Sequence, residues 1–227
     1  MSADKLSVTS RQRNSDLQKP MSENLAPVRK ALKQPAKRKA QSRERLLAAA
    51  RKLFVERGYH DTRPQDIAKE ADVGHGTFYL HFADKRACFL AFVEEAREEL
   101  SEFVAQRAAK AKGLEGSIEA VLVSIYEYSD LHPGVLATAM TDDVVIASDS
   151  ADGQTPLLQR WGEQWAETVK TLTAESGGIP AGLDAGVVGQ AIVGAIHQAS
   201  SVAHRQGKQR AAVVKTLTKF LARALRG

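Results

Sequence analysis

Ala71-Asp72-Val73-Gly74-His75-Gly76-Thr77-Phe78-Tyr79-Leu80-His81-Phe82, preceded by Gly58-Tyr59-His60-Asp61-Thr62 and Asp66-Ile67-Ala68, is the stretch that decides the fold. It reads as two short helices joined by a tight turn. At helical spacing His75, Phe78 and Phe82 fall on one narrow stripe, expected to point inward. Gly76, Thr77 and Leu80 face the opposite way. Two Phe anchors beneath an outward surface of Gly, Thr and Leu suit a partner that approaches very closely. The major groove of DNA admits such a helix.

The flanking chemistry agrees. Thr62-Arg63-Pro64-Gln65 has capping-box spacing, with Thr62 expected as the cap and Gln65 reaching back. Pro64 fits a first turn, where a missing N–H costs little. Ile67, Ala68 and Ala71 give the first short helix a buried side. Asp72 sits where the chain must reverse, and Asp tolerates left-handed backbone angles. Gly74 is expected to cap the second helix.

Residues 42–90 resemble the DNA-binding domain of the TetR family of bacterial transcriptional regulators. The residues that carry the resemblance are Leu46, Ala50, Leu53, Phe54, Gly58-Tyr59, Thr62, Ile67-Ala68, Ala71, Val73, Gly76-Thr77-Phe78-Tyr79, Phe82 and Asp84-Lys85. The chain departs from the family at Asp72, where Gly is usual, at Gly74, where Ser or Thr is usual, and at Arg63, where a second Thr or Ser is common. The remainder matches in length and helical character. The resemblance implies an all-α protein. A three-helix helix-turn-helix domain would stand at the N-terminus, with a C-terminal helical domain for ligand binding and dimerisation. The expected divisions are a disordered basic arm over 1–40, the DNA-binding domain over 41–88, and the effector and dimerisation domain over 89–227. An effector would shift the helix expected over 84–110 and change the spacing of two recognition helices.

The candidate DNA-contacting residues are Thr62, Arg63, Gly74, His75, Gly76, Thr77, Tyr79, Leu80, His81 and Lys85. Thr77 and Leu80 are expected against thymine methyls, and Tyr79, His81 and Lys85 against phosphates. The charge distribution supports a polyanion met at one end only. Residues 1–40 carry a net +7, residues 41–88 a net +2 and the rest a net −4. Pro20, Pro27 and Pro35 interrupt any helix in the leader, and its few apolar residues cannot order it. It reads either as a bystander or as an arm whose Lys37-Arg38-Lys39 touches phosphates or a minor groove.

Cys88 is the only cysteine, so neither a disulfide framework nor a cysteine zinc site is expected within one chain. No apolar run approaches the roughly 18 residues that span a bilayer, and the N-terminus has no apolar signal core. The expectation is a soluble cytoplasmic protein without cofactor or metal.

Beyond residue 84 the periodicity is helical throughout. Helices are expected over about 84–110, 117–129, a short stretch to Ala147, 155–176, 184–206 and 208–226. Gly113 and Gly116 are expected to end the first of these, whose Glu94, Glu95, Glu98 and Glu99 read as a solvated acidic run. Ser148–Gly153 reads as a polar loop. The Gly-rich loop at 176–182 lacks the Gly-Lys-Ser/Thr of a phosphate loop.

The helix over 184–206 is apolar nearly all round, so it must be buried on all sides. Gly189, Ala191, Gly194, Ala195 and Ala199 allow close approach, and Leu217, Phe220 and Leu221 follow on the last helix. Together they form the expected homodimer interface, in keeping with the four-helix bundle that the resemblance implies. An entirely intramolecular core is the alternative.

Polar or aromatic groups on inward faces give the candidate ligand contacts: Phe103, Tyr126, Met140, Trp161, Trp165 and His197. At each of them core filling competes with ligand contact. The two Trp lead, because large rings with an N–H to satisfy commonly line cavities. Asp142-Asp143, His132, His197 and His204 are too scattered for a metal site. No nucleophile–base–orienter pattern is visible, so an enzyme is not expected. The reading is a ligand-responsive repressor, acting as a homodimer on a pseudo-palindromic operator. Its rivals are an effector-independent architectural DNA-binding protein and a small-molecule carrier or enzyme with a vestigial DNA domain.

Overall fold

The computed structural model describes residues 26–141, 157–174 and 177–226. Its described elements are helical: α1 Ala26–Arg57, α2 Pro64–Glu70, α3 His75–Tyr79, α4 Lys85–Ala108, α5 Gly113–Leu131, α6 Val135–Thr141, α7 Leu157–Thr173, α8 Ala185–Arg205 and α9 Arg210–Arg226. The leader up to residue 25, Asp142-Asp143, the continuation to Ala147 and the Ser148–Gly153 loop lie outside the described residues.

Two expected boundaries move. α1 begins at Ala26, so residues 26–40 are helical and not part of an unstructured arm. Pro27 lies in its first turn, where proline is tolerated. Pro35 stands in the interior and leaves one helical hydrogen bond unmade. The prolines therefore did not set the helix start. At the other end of the domain, α4 crosses position 88 without interruption. Cys88, Phe89 and Phe92 belong to the same buried cluster as Leu46, Phe54, Ile67, Phe78 and Phe82. Gly113 does not merely end α4. It opens α5 with a left-handed φ of +68°, and Gly116 lies in the first turn of α5.

The first core is aromatic. The Phe89 ring stands edge-on to Phe54 at 4.9 Å and to Tyr59 at 5.1 Å. Tyr128, Val135 and Ala139 complete this cluster from α5 and α6, so the N-terminal three-helix unit shares its core with the C-terminal helices. The second core lies among α5, α7, α8 and α9, around Ile118, Leu122, Val169, Ile192, Leu217 and Leu221.

α7 and α8 cross closely because both carry glycine at the crossing. Gly189 is buried, and a Cβ there would run into the carbonyl oxygen of Gly162. Gly194 is different: it is exposed, and a Cβ there would meet open space within the chain. Gly189→Ala should therefore destabilise the protein by about 1–3 kcal/mol, the usual range for overpacking. Gly194→Ala should leave the stability of the single chain unchanged or raise it by up to about 1 kcal/mol, as alanine is the better helix former. Urea unfolding of both variants under dilute conditions separates the two outcomes.

Candidate DNA interface and ligand cavity

The helix-turn-helix is fixed by its backbone stops. Gly58 adopts a left-handed φ of +80° and its N–H donates to Phe54 O at 2.9 Å, which ends α1. Asp72, at φ +51°, reverses the chain as expected. Arg45 Nη2 donates to the Asp72 backbone oxygen at 3.0 Å and to its carboxylate at 3.1 Å, pinning the turn to α1. Gly74 is the N-cap of α3.

Thr62 does not serve as expected. The N-cap of α2 is Arg63, and no side chain caps it. Thr62 lies one residue earlier and is fully buried. Its hydroxyl donates to Gly58 O at 2.8 Å and, more weakly, to Leu53 O at 3.3 Å. It satisfies the carbonyl end of α1, so it is closed to both a capping box and DNA. Lys85 is similarly engaged. Its Nζ donates to Tyr59 O at 2.8 Å and His60 O at 3.3 Å, and lies 4.1 Å from the Tyr59 ring centroid. This ammonium ties the start of α4 to the turn after α1.

α3 shows the two-faced character read from its sequence, with one change. Phe78 and Phe82 are buried, whereas His75 is exposed and packs edge-on against Tyr79 at 5.2 Å. The helix starts at His75, and its first residue lies beyond the reach of the core. Leu80 is 71% exposed and Tyr79 50%, with Gly76 also exposed and Thr77 half-buried. Arg63 is exposed at the start of α2.

Because α1 extends backwards, its basic turn lies beside α3. Arg38, Lys39 and Ser42 share one concave surface with Gly74, Thr77, Leu80 and His81. His81 Nε2 lies 2.7 Å from Ser42 Oγ. Ser42 already donates its hydroxyl proton to Lys39 O, so the hydrogen bond requires His81 to carry its proton on Nε2. Desolvation pushes the His81 pKa down, and the Lys39 and Arg43 charges add to this. The prolines of the leader predict a loose arm over Lys37–Lys39, whereas the unbroken helical run from Lys39 into Leu46 carries these residues on α1.

A cavity of about 310 Å³ opens between α4, α5, α6, α7 and α8. Trp161 and Trp165 form its wall together with Leu100, Val104, Val121, Ile125, Met140, Leu172, Val193 and Ile196. Three of the six expected ligand residues, Met140, Trp161 and Trp165, therefore meet there. The other three do not. Phe103 faces away, beneath the Arg107 guanidinium at 3.4 Å and against Tyr128. Tyr126 turns toward α8 and α9, its hydroxyl 2.7 Å from Ser200 Oγ and its ring near Arg210. His197 is half-buried on α8, outside the wall. The polar corner of the cavity, Arg97, Ser101 and Gln164, escaped sequence reading because its members are ordinary surface residue types.

The expected interface residues divide as well. Gly189, Leu217 and Leu221 are buried inside their own chain and pack its core, with Leu217 also at the floor of the groove between α8 and α9. Ala191, Gly194 and Phe220 are exposed, and Ala195 and Ala199 half-buried. Ala195, Ala199, Val202, Thr216 and Phe220 line a shallow groove between α8 and α9.

α4 joins the two regions. Arg51 on α1 donates from Nη1 to both Glu99 oxygens, at 2.7 and 2.8 Å, and Tyr128 OH donates to Glu99 Oε2 at 2.8 Å. The acidic run on α4 is thus no mere solvated face: Glu99 holds α1 and α5 together, and Glu94 is paired with Arg97 and Arg160. Burial pushes the Glu99 pKa up, but the bonds from Arg51 and Tyr128 outweigh it and leave the group below its ordinary value. Burial and the Glu99 bond drive the Tyr128 phenol up to about 12. Among the described residues no group of three or more His, Cys, Asp and Glu could hold a metal ion, and no helix is long and apolar enough to cross a membrane.

Residues 46–92 match the model of the TetR family, bacterial regulatory proteins. The HTH-type transcriptional repressor BepR of Brucella suis is 38% identical over 69 residues, covering 30% of this chain and 33% of that one. The chain spans a third or less of the length of the curated relatives it matches first. Among solved structures, FadR of Bacillus subtilis in complex with stearoyl-CoA superposes with a TM-score of 0.63 at 19% identity, covering 80% of this chain and 98% of that one. RolR in complex with resorcinol gives 0.60 at 20% identity, over 84% and 90%. These two likenesses establish the helical fold.

A carboxylate held below its ordinary pKa stabilises the fold above that pKa, and the contribution is lost as pH falls through the lowered value. Glu99→Gln should cost about 1–2 kcal/mol at neutral pH, the lower part of the range for charged hydrogen bonds because the group is partly exposed. The gap from the unaltered protein should close as the pH falls below the ordinary carboxylate range. Urea unfolding at neutral and at acid pH checks both the cost and its disappearance.

Proposed function

We propose that this chain, which belongs to the TetR family of bacterial regulatory proteins, is a sequence-specific transcriptional repressor that works as a homodimer and releases its operator when an effector fills the α4–α8 cavity. One observation carries the reading. A single helix, α4, lines the cavity with Arg97, Leu100 and Ser101, and grips the DNA-binding unit with Glu99 and Lys85.

Each half of the dimer would insert α3 into a major groove, the two insertions about 34–36 Å apart on a pseudo-palindrome. Leu80 and Thr77 would meet base edges, and thymine methyls suit both. Tyr79, Gly76, His75 and Arg63 stand exposed around them. Arg38 and Lys39 supply the cationic flank, and His81 would meet a phosphate through Ser42 or directly. The exposed Phe220 and Val187, with Ala191, Gly194, Ala195 and Ala199, form an apolar face that a second copy would cover. An isologous two-fold arrangement places each Phe220 against the same surface of its partner.

An effector can act only through a difference in affinity between the DNA-bound spacing and another spacing of the two α3 helices. The complexes of the neighbours FadR and RolR, one with stearoyl-CoA and the other with resorcinol, support an effector site in this kind of fold. They differ too widely in size to name this chain's effector. The family and the absence of a membrane-spanning helix among the described residues support a place in the cytoplasm.

Selection of bound duplexes from a random pool tests the reading, and recovery of no enriched motif would sink it. On the selected duplex, Leu80→Ala should relax discrimination at one base pair by about 1–3 kcal/mol. Lys39→Ala should instead weaken all sequences and lower the salt slope by about 0.9. Phe220→Glu should shift the protein from dimer to monomer in sedimentation and weaken operator binding, because the two half-sites are no longer tethered. A Phe220→Glu protein that stays dimeric would place the interface elsewhere.

A further inference from the structure

We propose that the α4–α8 cavity takes an uncharged, largely apolar ligand bearing a hydroxyl or carbonyl group, and rejects carboxylates and phosphates of the same size. The proposal rests on the reading of this cavity as the effector site and adds its chemical class.

The wall decides the class. Among the described lining residues Arg97 carries the one charge, and that charge is already matched. Arg97 donates to Glu94 Oε1 from Nε at 3.0 Å and from Nη2 at 2.6 Å. Its remaining arm, Nη1, donates to Gln164 Oε1 at 3.1 Å. Gln164 Nε2 in turn donates to Ser101 Oγ at 2.8 Å, and Ser101 donates to Arg97 O. Thr168 is spent on its own helix, at Gln164 O. The polar corner is a closed circuit.

An incoming carboxylate therefore has two options, both unfavourable. It can take Arg97 from Glu94, which breaks two charged hydrogen bonds and leaves that carboxylate to Arg160 alone. Or it can leave Arg97 paired and stay uncompensated itself. Arg160 does not change this. Its Nη1 lies 3.0 Å from the other Glu94 oxygen and its Nε is buried, outside the lining, so it holds Glu94 and does not reach the cavity. Apart from the Ser117 hydroxyl and the Met140 thioether, the rest of the wall is aliphatic or aromatic. Its one orphan donor among the described residues is the buried indole N–H of Trp161. A turn of the indole toward the cavity would let a neutral oxygen on the ligand supply the acceptor that this N–H lacks without importing a charge. The volume is at the lower end of ligand pockets, roughly 300–1,000 Å³. It suits a substituted ring or a chain of medium length.

Trp161 and Trp165 are the only tryptophans of the chain and both line the cavity, so intrinsic fluorescence reports on this site alone. Two pairs of probes matched in size but not in charge are titrated into the full-length protein: decanol against decanoate, and butylphenol against butylbenzoate. The alcohol and the phenol should bind at least about tenfold more tightly than their carboxylate partners. Glu94→Gln, which strips Arg97 of its counter-charge, should narrow or reverse that preference while decanol affinity stays within about threefold. Arg97→Met should retain decanol binding, and it covers the case in which Glu94→Gln fails to fold. Carboxylates that bind the unaltered protein as well as the neutral probes overturn the proposal. So does silence from both pairs up to about 1 mM. Operator binding measured in the same titrations keeps the two readings apart. Neutral probes that bind without releasing DNA defeat the repressor reading alone, and carboxylates that bind and release DNA defeat the ligand class alone.

Discussion

A helix of five residues has no stability of its own, since closing its first turn fixes several backbone angles for a single hydrogen bond. α3 exists because Phe78 and Phe82 are held in the first core, and every outward feature depends on that hold. Leu80 can stand 71% exposed only while Phe78, two residues before it, is fully buried. The stops on either side serve the same end. Gly58 closes α1, Asp72 reverses the chain and Gly74 opens α3, and the Arg45 and Thr62 side chains fasten these stops to α1. The element that would read DNA is thus positioned by an aromatic core and two hydrogen-bonded turns, and contributes almost nothing to its own order.

The same core reaches into the C-terminal helices. Tyr128 packs in it while its hydroxyl binds Glu99, and the Tyr128 ring lies 4.4 Å from His132. A Cβ on Gly134 would press on Val55 of α1, so the chain between α5 and α6 also rests on the DNA-binding unit. The unit therefore has no swivel of its own. It is seated on α4, α5 and α6 together, and a change in their relation must move it as a body.

Much of this was legible in the residues. The two-faced α3, the left-handed Asp72, the glycine cap and the order of the long helices follow from local rules, which act over one or two turns. What escaped depends on partners distant in sequence. Thr62 looks like a cap until the carbonyl end of α1 arrives beside it. Lys85 looks like a free cation until the Tyr59 carbonyl takes its ammonium. Glu99 looks solvated until Arg51, forty-eight positions earlier, reaches it. Gly189 looked like an interface residue because a small residue signals close approach without saying to whom, and here the answer is Gly162. The cavity was half legible for the same reason. Trp161 and Trp165 announce a cavity wall by their size, but the serine, glutamine and arginine that shape its polar corner have no such mark.

The Gly162–Gly189 crossing connects packing to regulation. With α7 drawn tightly onto α8, Trp161, next to Gly162, and Trp165, one turn further on, line the space left between this pair and α4. α7 and α8 are locked to each other, and α5 is held by α9 and the second core. α4, with Leu136 and Met140 of α6, completes the wall. Its contacts across the cavity run through the polar corner of Arg97, Ser101 and Gln164. Under the proposed function, a ligand that expands the cavity would press on α4. Glu99 and Lys85 are on that same helix, so a displacement of α4 would be felt directly by Arg51 and by the turn that closes α1. Coupling of this kind would need no long relay, because α4 is both a wall of the cavity and the helix on which the DNA-binding unit is seated.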